Sequence, residues 1–175
     1  METIIPQLNT FIEVRTGKKV REFYYDWNLH NKSAMFTSIS SDPFTSEEVL
    51  QEQYKQRDLI NKEIIDISER AEKSPEEIYS CQMDDRTIVV IRNGILVRIE
   101  KELIRLGNSE LLKRVKRNLE KHYLHNNSRL EWIFNHHIVD ALVDWDFNLD
   151  KSVIVLKLNQ AKPKKPNYEK VDIAE

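Results

Sequence analysis

Between Glu77 and Leu158 the apolar residues first recur as in strands, then at helical spacing, then as in strands again. Ile78–Met83 and Thr87–Arg92 read as a hairpin turning at Asp84-Asp85-Arg86. Thr87-Ile-Val-Val-Ile91 is β-branched throughout, the signature of a strand central in its sheet or covered on both faces. Asn93-Gly94 ends it. Ile95, Leu96, Ile99, Leu103 and Leu106 then recur every three or four residues, and Gly107 suits a helix C-terminus. A second helix opens at Asn108 or Ser109, with Leu111, Leu112, Val115, Leu119 and Tyr123 expected inward. His125-Asn-Asn-Ser128 breaks it, and Leu130, Ile133, Phe134, His137 and Ile138 carry the apolar stripe onward. In the last hairpin Val139, Ala141, Val143, Trp145 and Phe147 alternate with Asp140, Leu142, Asp144, Asp146 and Asn148, which predicts one buried and one wet face. Asn148–Lys151 is the turn, and Ser152–Leu158 pairs back.

Upstream, Thr45-Ser-Glu-Glu48 forms a capping box, and the helix it starts is expected to run to Ala71. Leu50, Tyr54, Ile60, Ile64 and Ile67 give it a stripe, with a polar gap over Gln51–Asp58. Ser74-Pro-Glu-Glu77 links it to the first hairpin. Residues 1–44 are less legible. Val20, Phe23, Tyr24 and Trp27 have helical spacing and favour a helix over Lys19–Trp27, although Phe23, Tyr25 and Trp27 also alternate as a strand would. Gly17-Lys18-Lys19 marks a turn, and Asn28–Ser33 and Ser38–Pro43 read as loop. After Asn159, Lys162-Pro-Lys-Lys-Pro166 and its polar neighbours predict a disordered tail. The expected organisation is therefore an N-terminal segment with helical content (1–44), an α+β domain (45–158) and a tail (159–175). Within the domain, an antiparallel sheet of two hairpins is packed on one side by helices.

Composition narrows the classes. A chain of 175 residues buries one good core. A net charge of -2 and a pI near 6.2 give no global attraction to nucleic acid or anionic lipid. The single cysteine, Cys81, excludes an internal disulfide and fits a reducing compartment. No apolar run reaches the roughly 18 residues of a membrane span, and the first residues lack signal-peptide character. A cytoplasmic protein without direct membrane insertion is the expectation.

Candidate chemistry is sparse. His122 and His125 share a helix spacing, His136 and His137 are adjacent, and His30 is distant. None sits in an H-E-x-x-H pattern, so structural or exposed histidines are the simpler reading. Asp144, Asp146 and Asp150 crowd the second hairpin and could hold a divalent cation. The calcium-loop glycine and closing Glu are missing, which favours solvated carboxylates. Gly17-Lys18-Lys19 lacks the upstream glycine of a phosphate loop. Cys81 reads as a small core residue. Tyr24, Tyr25 and Trp27 read as core packing, with a binding surface as the alternative. Lys113, Arg114, Lys116, Arg117 and Lys121 are expected on the outward face of an amphipathic helix. There they would meet an acidic protein or phosphates, or form a solvated face balanced by Glu110 and Glu120. No aromatic platform stands beside them in sequence.

Over about Ser74–Leu158 these elements fall into a familiar order. A strand and Asp-rich turn precede a Val/Ile strand ending in Arg92. Asn93-Gly-Ile-Leu96 then leads into Glu100-Lys-Glu-Leu103 and a long basic helix. The final hairpin carries Val143-Asp144 and Val153-Ile-Val-Leu156. This stretch resembles the MpsC-like family, named after a component of a bacterial sodium-translocating, membrane-potential-generating system. Lys73-Ser-Pro-Glu76 and Val97-Arg98 depart from the family's glycine-rich approach and its Thr-Pro helix start. The resemblance implies a small protein working beside a membrane ion or bicarbonate uptake system, and brings no catalytic residue and no cofactor.

The expected function is a non-enzymatic accessory or regulatory protein that binds a protein partner, with a homodimer left open. Nucleic-acid binding through residues 113–121 is the alternative. Metal-dependent hydrolysis through Asp144, Asp146 and a histidine ranks third.

Overall fold

The computed structural model describes residues 4–40 and 54–159. In chain order it contains α1 (Ile5–Thr16), β1 (Val20–Asn28), β2 (Ser33–Ser40), α2 (Arg57–Ala71), β3 (Glu77–Asp84) and β4 (Thr87–Asn93). There follow α3 (Arg98–Arg105), α4 (Ser109–His125), α5 (Ser128–Phe134), β5 (Ile138–Asp146) and β6 (Lys151–Leu158). The fold is α+β. Both expected hairpins form, and they join through β4 and β6 into one antiparallel sheet of order β3-β4-β6-β5. The β-branched strand takes the inner position its composition predicts. Val90 lies opposite Ile154 and Ile88 opposite Leu156.

One face of this sheet carries the main core. Ile88, Val90, Ala141, Val143, Trp145, Ile154 and Leu156 meet Ile60, Ile64 and Ile67 of α2, Leu124 of α4, and Leu130, Ile133 and Phe134 of α5. Each Val, Leu, Ile or Phe among them is worth about 1.5–3 kcal/mol when fully buried. The α4–α5 break falls where the Asn pair predicts it, and Asn127 Oδ1 accepts from Leu130 N at 2.8 Å. Asn135, with φ of 55°, ends α5, so His137 leaves the apolar stripe and is exposed.

The N-terminal segment departs from expectation. Lys19–Trp27 is not a helix: Val20–Asn28 is a strand, paired with β2 from Val20↔Ser40 to Asn28↔Ser33. The period-two alternation of Phe23, Tyr25 and Trp27 prevails because Tyr24 and Asp26 on the opposite parity find buried partners. Ser38–Ser40, expected as loop, belong to β2, while residues 29–32 form the turn. The β1–β2 ribbon covers the sheet's second face, where Tyr24 and Met35 pack on Val89, Leu142, Val153 and Val155. The face of β5 expected to be wet is therefore covered: Asp140, Leu142 and Asp144 are all buried.

The helix expected from Thr45 is not continuous. Tyr54–Gln56 are non-helical, and α2 begins at Arg57, at the edge of the polar gap. Tyr54 instead donates to Ser80 Oγ at 2.8 Å. The Thr45–Glu48 box and residues 160–175 of the expected tail lie outside the described residues. Asn159 belongs to the folded body, its N–H donating to the His137 carbonyl at 3.0 Å.

Candidate functional site

The basic helix α4 is rotated relative to expectation. Its inward residues are Leu112, Lys116, Glu120 and Leu124, while Leu111, Val115 and Leu119 are 50%, 54% and 38% exposed. The cause lies in β4. Arg92 has the parity of Ile88 and Val90, so its guanidinium enters the core and requires acceptors. Its Nη2 bonds Glu120 Oε2 at 2.6 Å, its Nε bonds Ser152 Oγ at 2.9 Å and its Nη1 bonds Ser68 Oγ at 2.9 Å. One turn earlier, Lys116 Nζ donates to Glu100 Oε1 at 2.9 Å and also pairs with Glu72. Once the charged i, i+4 row of α4 is drawn inward, its apolar row faces out. Burial, reinforced by the charge of Glu120, lifts the Glu72 carboxyl to about 7 even though Lys116 pulls it down.

Lys113, Arg117 and Lys121 of α4 are held by two buried carboxylates. Lys113 Nζ lies 2.7 Å from Asp144 Oδ1, Arg117 Nε 3.1 Å from Asp26 Oδ1, and Lys121 Nζ 2.6 Å from Asp26 Oδ2. The same carboxylates stitch β1 to β5. Val143 N donates to Asp26 Oδ2 and Tyr25 N to Asp144 Oδ2, each at 2.9 Å. Of Lys113, Arg114, Lys116, Arg117 and Lys121, only Arg114 is exposed, which corrects the outward basic face. A helix over Lys19–Trp27 gives Asp26 no special place, so sequence alone does not single it out. Its signal was an acidic residue flanked by aromatics at strand parity.

The remaining candidates have local partners. Asp150 Oδ1 accepts from Ile95 N and Leu96 N, both at 2.8 Å, and its Oδ2 pairs with Lys101. Although burial pushes its carboxyl up, the Lys101 and amide hydrogen bonds hold it below the usual range. Asp146 caps its own turn by accepting from Asn148 N at 2.9 Å. His125 approaches Asp140 at 3.9 Å, and His137 Nδ1 lies 2.9 Å from Glu131 Oε2. Among the described residues no group of three or more His, Cys, Asp or Glu side chains is placed to hold a metal ion. Gly17 ends α1 in a left-handed conformation, and Cys81 lies partly buried in β3.

Two surface features remain. Ile99, Leu103 and Leu106, predicted as the buried stripe of α3, are exposed. The helix is anchored instead by Glu100, which also accepts from Val97 N at 2.9 Å. The Glu100–Lys116 bond holds α3 against α4, so both helices present apolar rows to solvent. Beside the start of α4, a cavity of about 330 Å³ is lined by Tyr25, Trp27, Glu110, Leu111, Lys113, Arg114 and Arg117. Tyr25 and Trp27 stack there with centroids 5.8 Å apart. The aromatic platform missing beside residues 113–121 in sequence is thus supplied by Tyr25 and Trp27 of the N-terminal aromatic cluster, on β1.

Over residues 49–160 the chain matches the family described as Na+-translocating membrane potential-generating system (MpsC). The match reaches further upstream than Ser74 and takes in α2. No curated protein and no solved structure matches the chain. Among the described residues no helix is long and apolar enough to cross a membrane.

Proposed function

The chain belongs to the MpsC family, and from that premise we propose that it is a non-enzymatic accessory protein of a sodium-translocating, membrane-potential-generating system. It works on the cytoplasmic side and docks through α3 and α4 onto a helix of a membrane-embedded component. The observation that carries this reading is the inverted face of α4. Leu111, Val115 and Leu119 stand at i, i+4 and i+8, the spacing with which one helix grips another. Ile99, Leu103 and Leu106 extend the apolar surface across α3. Large apolar side chains exposed in rows at helical spacing are the kind of surface that marks interaction sites.

The non-enzymatic reading is supported by the positive assignments of the candidate groups. Asp26, Asp140, Asp144 and Asp150 are hydrogen-bonded to backbone or side chains that hold β1, β2 and the β5–β6 turn. A nucleic-acid strand on residues 113–121 is the weaker alternative, because Lys113, Lys116, Arg117 and Lys121 already neutralise buried carboxylates.

The test is membrane association. In fractionated native cells the wild-type chain should co-sediment with membranes, and Leu111→Ser/Val115→Ser should move it to the soluble fraction with its fold unchanged. Equal partitioning of both forms would refute the docking face.

A further inference from the structure

The cleft between β1 and the start of α4 has the composition of a small-ligand site. Tyr25 and Trp27 occupy alternate positions of β1, so both rings project from the ribbon face opposite Tyr24 and Asp26. They stack at an interplanar angle of 22°, and Trp27 remains 39% exposed. Lys113 Nζ stands 5.7 Å from the Tyr25 ring centroid. Beneath, Asp144 and Asp26 hold Lys113 and Arg117 in ion pairs of 2.7 and 3.1 Å, which fixes the floor of the cleft. Arg114 is exposed at the mouth, and among the described residues it has no ion-pair partner. A flat aromatic wall beside an exposed guanidinium is the chemistry that stacks a nucleobase and receives its phosphate. The cavity of about 330 Å³ suits one base and its sugar, at the small end of ligand pockets.

We infer that the Tyr25–Trp27–Arg114 cleft binds a mononucleotide, the base stacking on Trp27 and the phosphate meeting Arg114. A single nucleotide is favoured over a strand because the lining includes the carboxylate of Glu110 and the chain carries a net charge of -2. Leu111 borders both the cleft and the docking row, so the cleft is tested at Trp27 and Arg114, which lie off the Leu111–Val115–Leu119 row.

The test is calorimetric titration of the full chain with ADP, with inorganic pyrophosphate and a single-stranded oligonucleotide as comparison ligands. ADP should bind one per chain. Trp27→Leu and Arg114→Glu should each weaken it by about tenfold or more, and Trp27→Phe should restore most of the affinity. Both side chains are exposed, and thermal melts matching wild type would show the variants folded. Pyrophosphate binding as tightly as ADP, binding of the oligonucleotide alone, or ADP binding indifferent to Trp27 would each overturn the inference.

Discussion

Arg92 Nη2 lies 2.6 Å from Glu120 Oε2, and both side chains are almost wholly buried. This pair joins the inner strand β4 to α4 and fixes which side of the helix meets the sheet. Removing one partner leaves a buried charge without its counter-ion. Arg92→Ala or Glu120→Ala should each cost about 3–5 kcal/mol in urea denaturation. Arg92→Met combined with Glu120→Leu should recover most of that loss, because a buried pair can be replaced by packed apolar groups.

The neighbouring carboxyl makes stability depend on pH. Glu72 titrates near 7 in the fold, above its ordinary value, so between about pH 4.5 and 7 the folded state binds more protons than the unfolded chain. Its contribution favours folding at the acid end and is lost as pH rises through 7. Glu72→Gln, which keeps an acceptor for Lys116, should flatten this dependence and stabilise the protein at pH 8 by roughly 1–3 kcal/mol. Melting temperatures of the two forms between pH 5 and 8 check this. A parallel pair of curves would contradict it.

Asp26 holds Arg117 and Lys121 of α4 and the amide of Val143 of β5. Asp26→Ala should loosen the β1–β2 ribbon and cost about 2–4 kcal/mol through unpaired cations and an unpaired amide. Limited proteolysis should then cut within residues 29–32 faster than in wild type, with β3–β6 remaining protected.

Gly94 follows β4 with φ of 65°, and an added Cβ would come within 2.4 Å of the Glu76 side chain. That side chain is exposed and can swing away, so the backbone conformation decides the cost. Gly94→Ala should destabilise by about 1–2 kcal/mol.

Where sequence and structure agree, a single periodicity dominated. The Val/Ile strand, the two hairpins and the Asn break between α4 and α5 were legible because one spacing fitted and local turn residues marked the ends. Two competing spacings led elsewhere. In α4 the row Leu111-Val115-Leu119 and the row Leu112-Lys116-Glu120-Leu124 are both i, i+4 stripes, and hydrophobicity favours the first. Tertiary electrostatics chose the second. The clue was Arg92, a charged residue sharing the buried parity of Ile88 and Val90, which calls for carboxylates on whatever helix covers it. In β1 helical and strand spacings coexisted, and nothing local revealed that Asp26 and Asp144 would join strands so distant in the chain. The aromatic–cation cleft was illegible for the same reason.

Docking of the apolar side of α3 and α4 onto a membrane component is tested most directly by site-specific photo-crosslinking in native cells. A photoreactive residue at Val115 should yield an adduct with a multi-spanning membrane protein of the ion-translocating system. The same residue at the exposed turn position Leu29 should not. Adducts at Val115 only with a second copy of the chain, or the same products from both positions, would contradict the account.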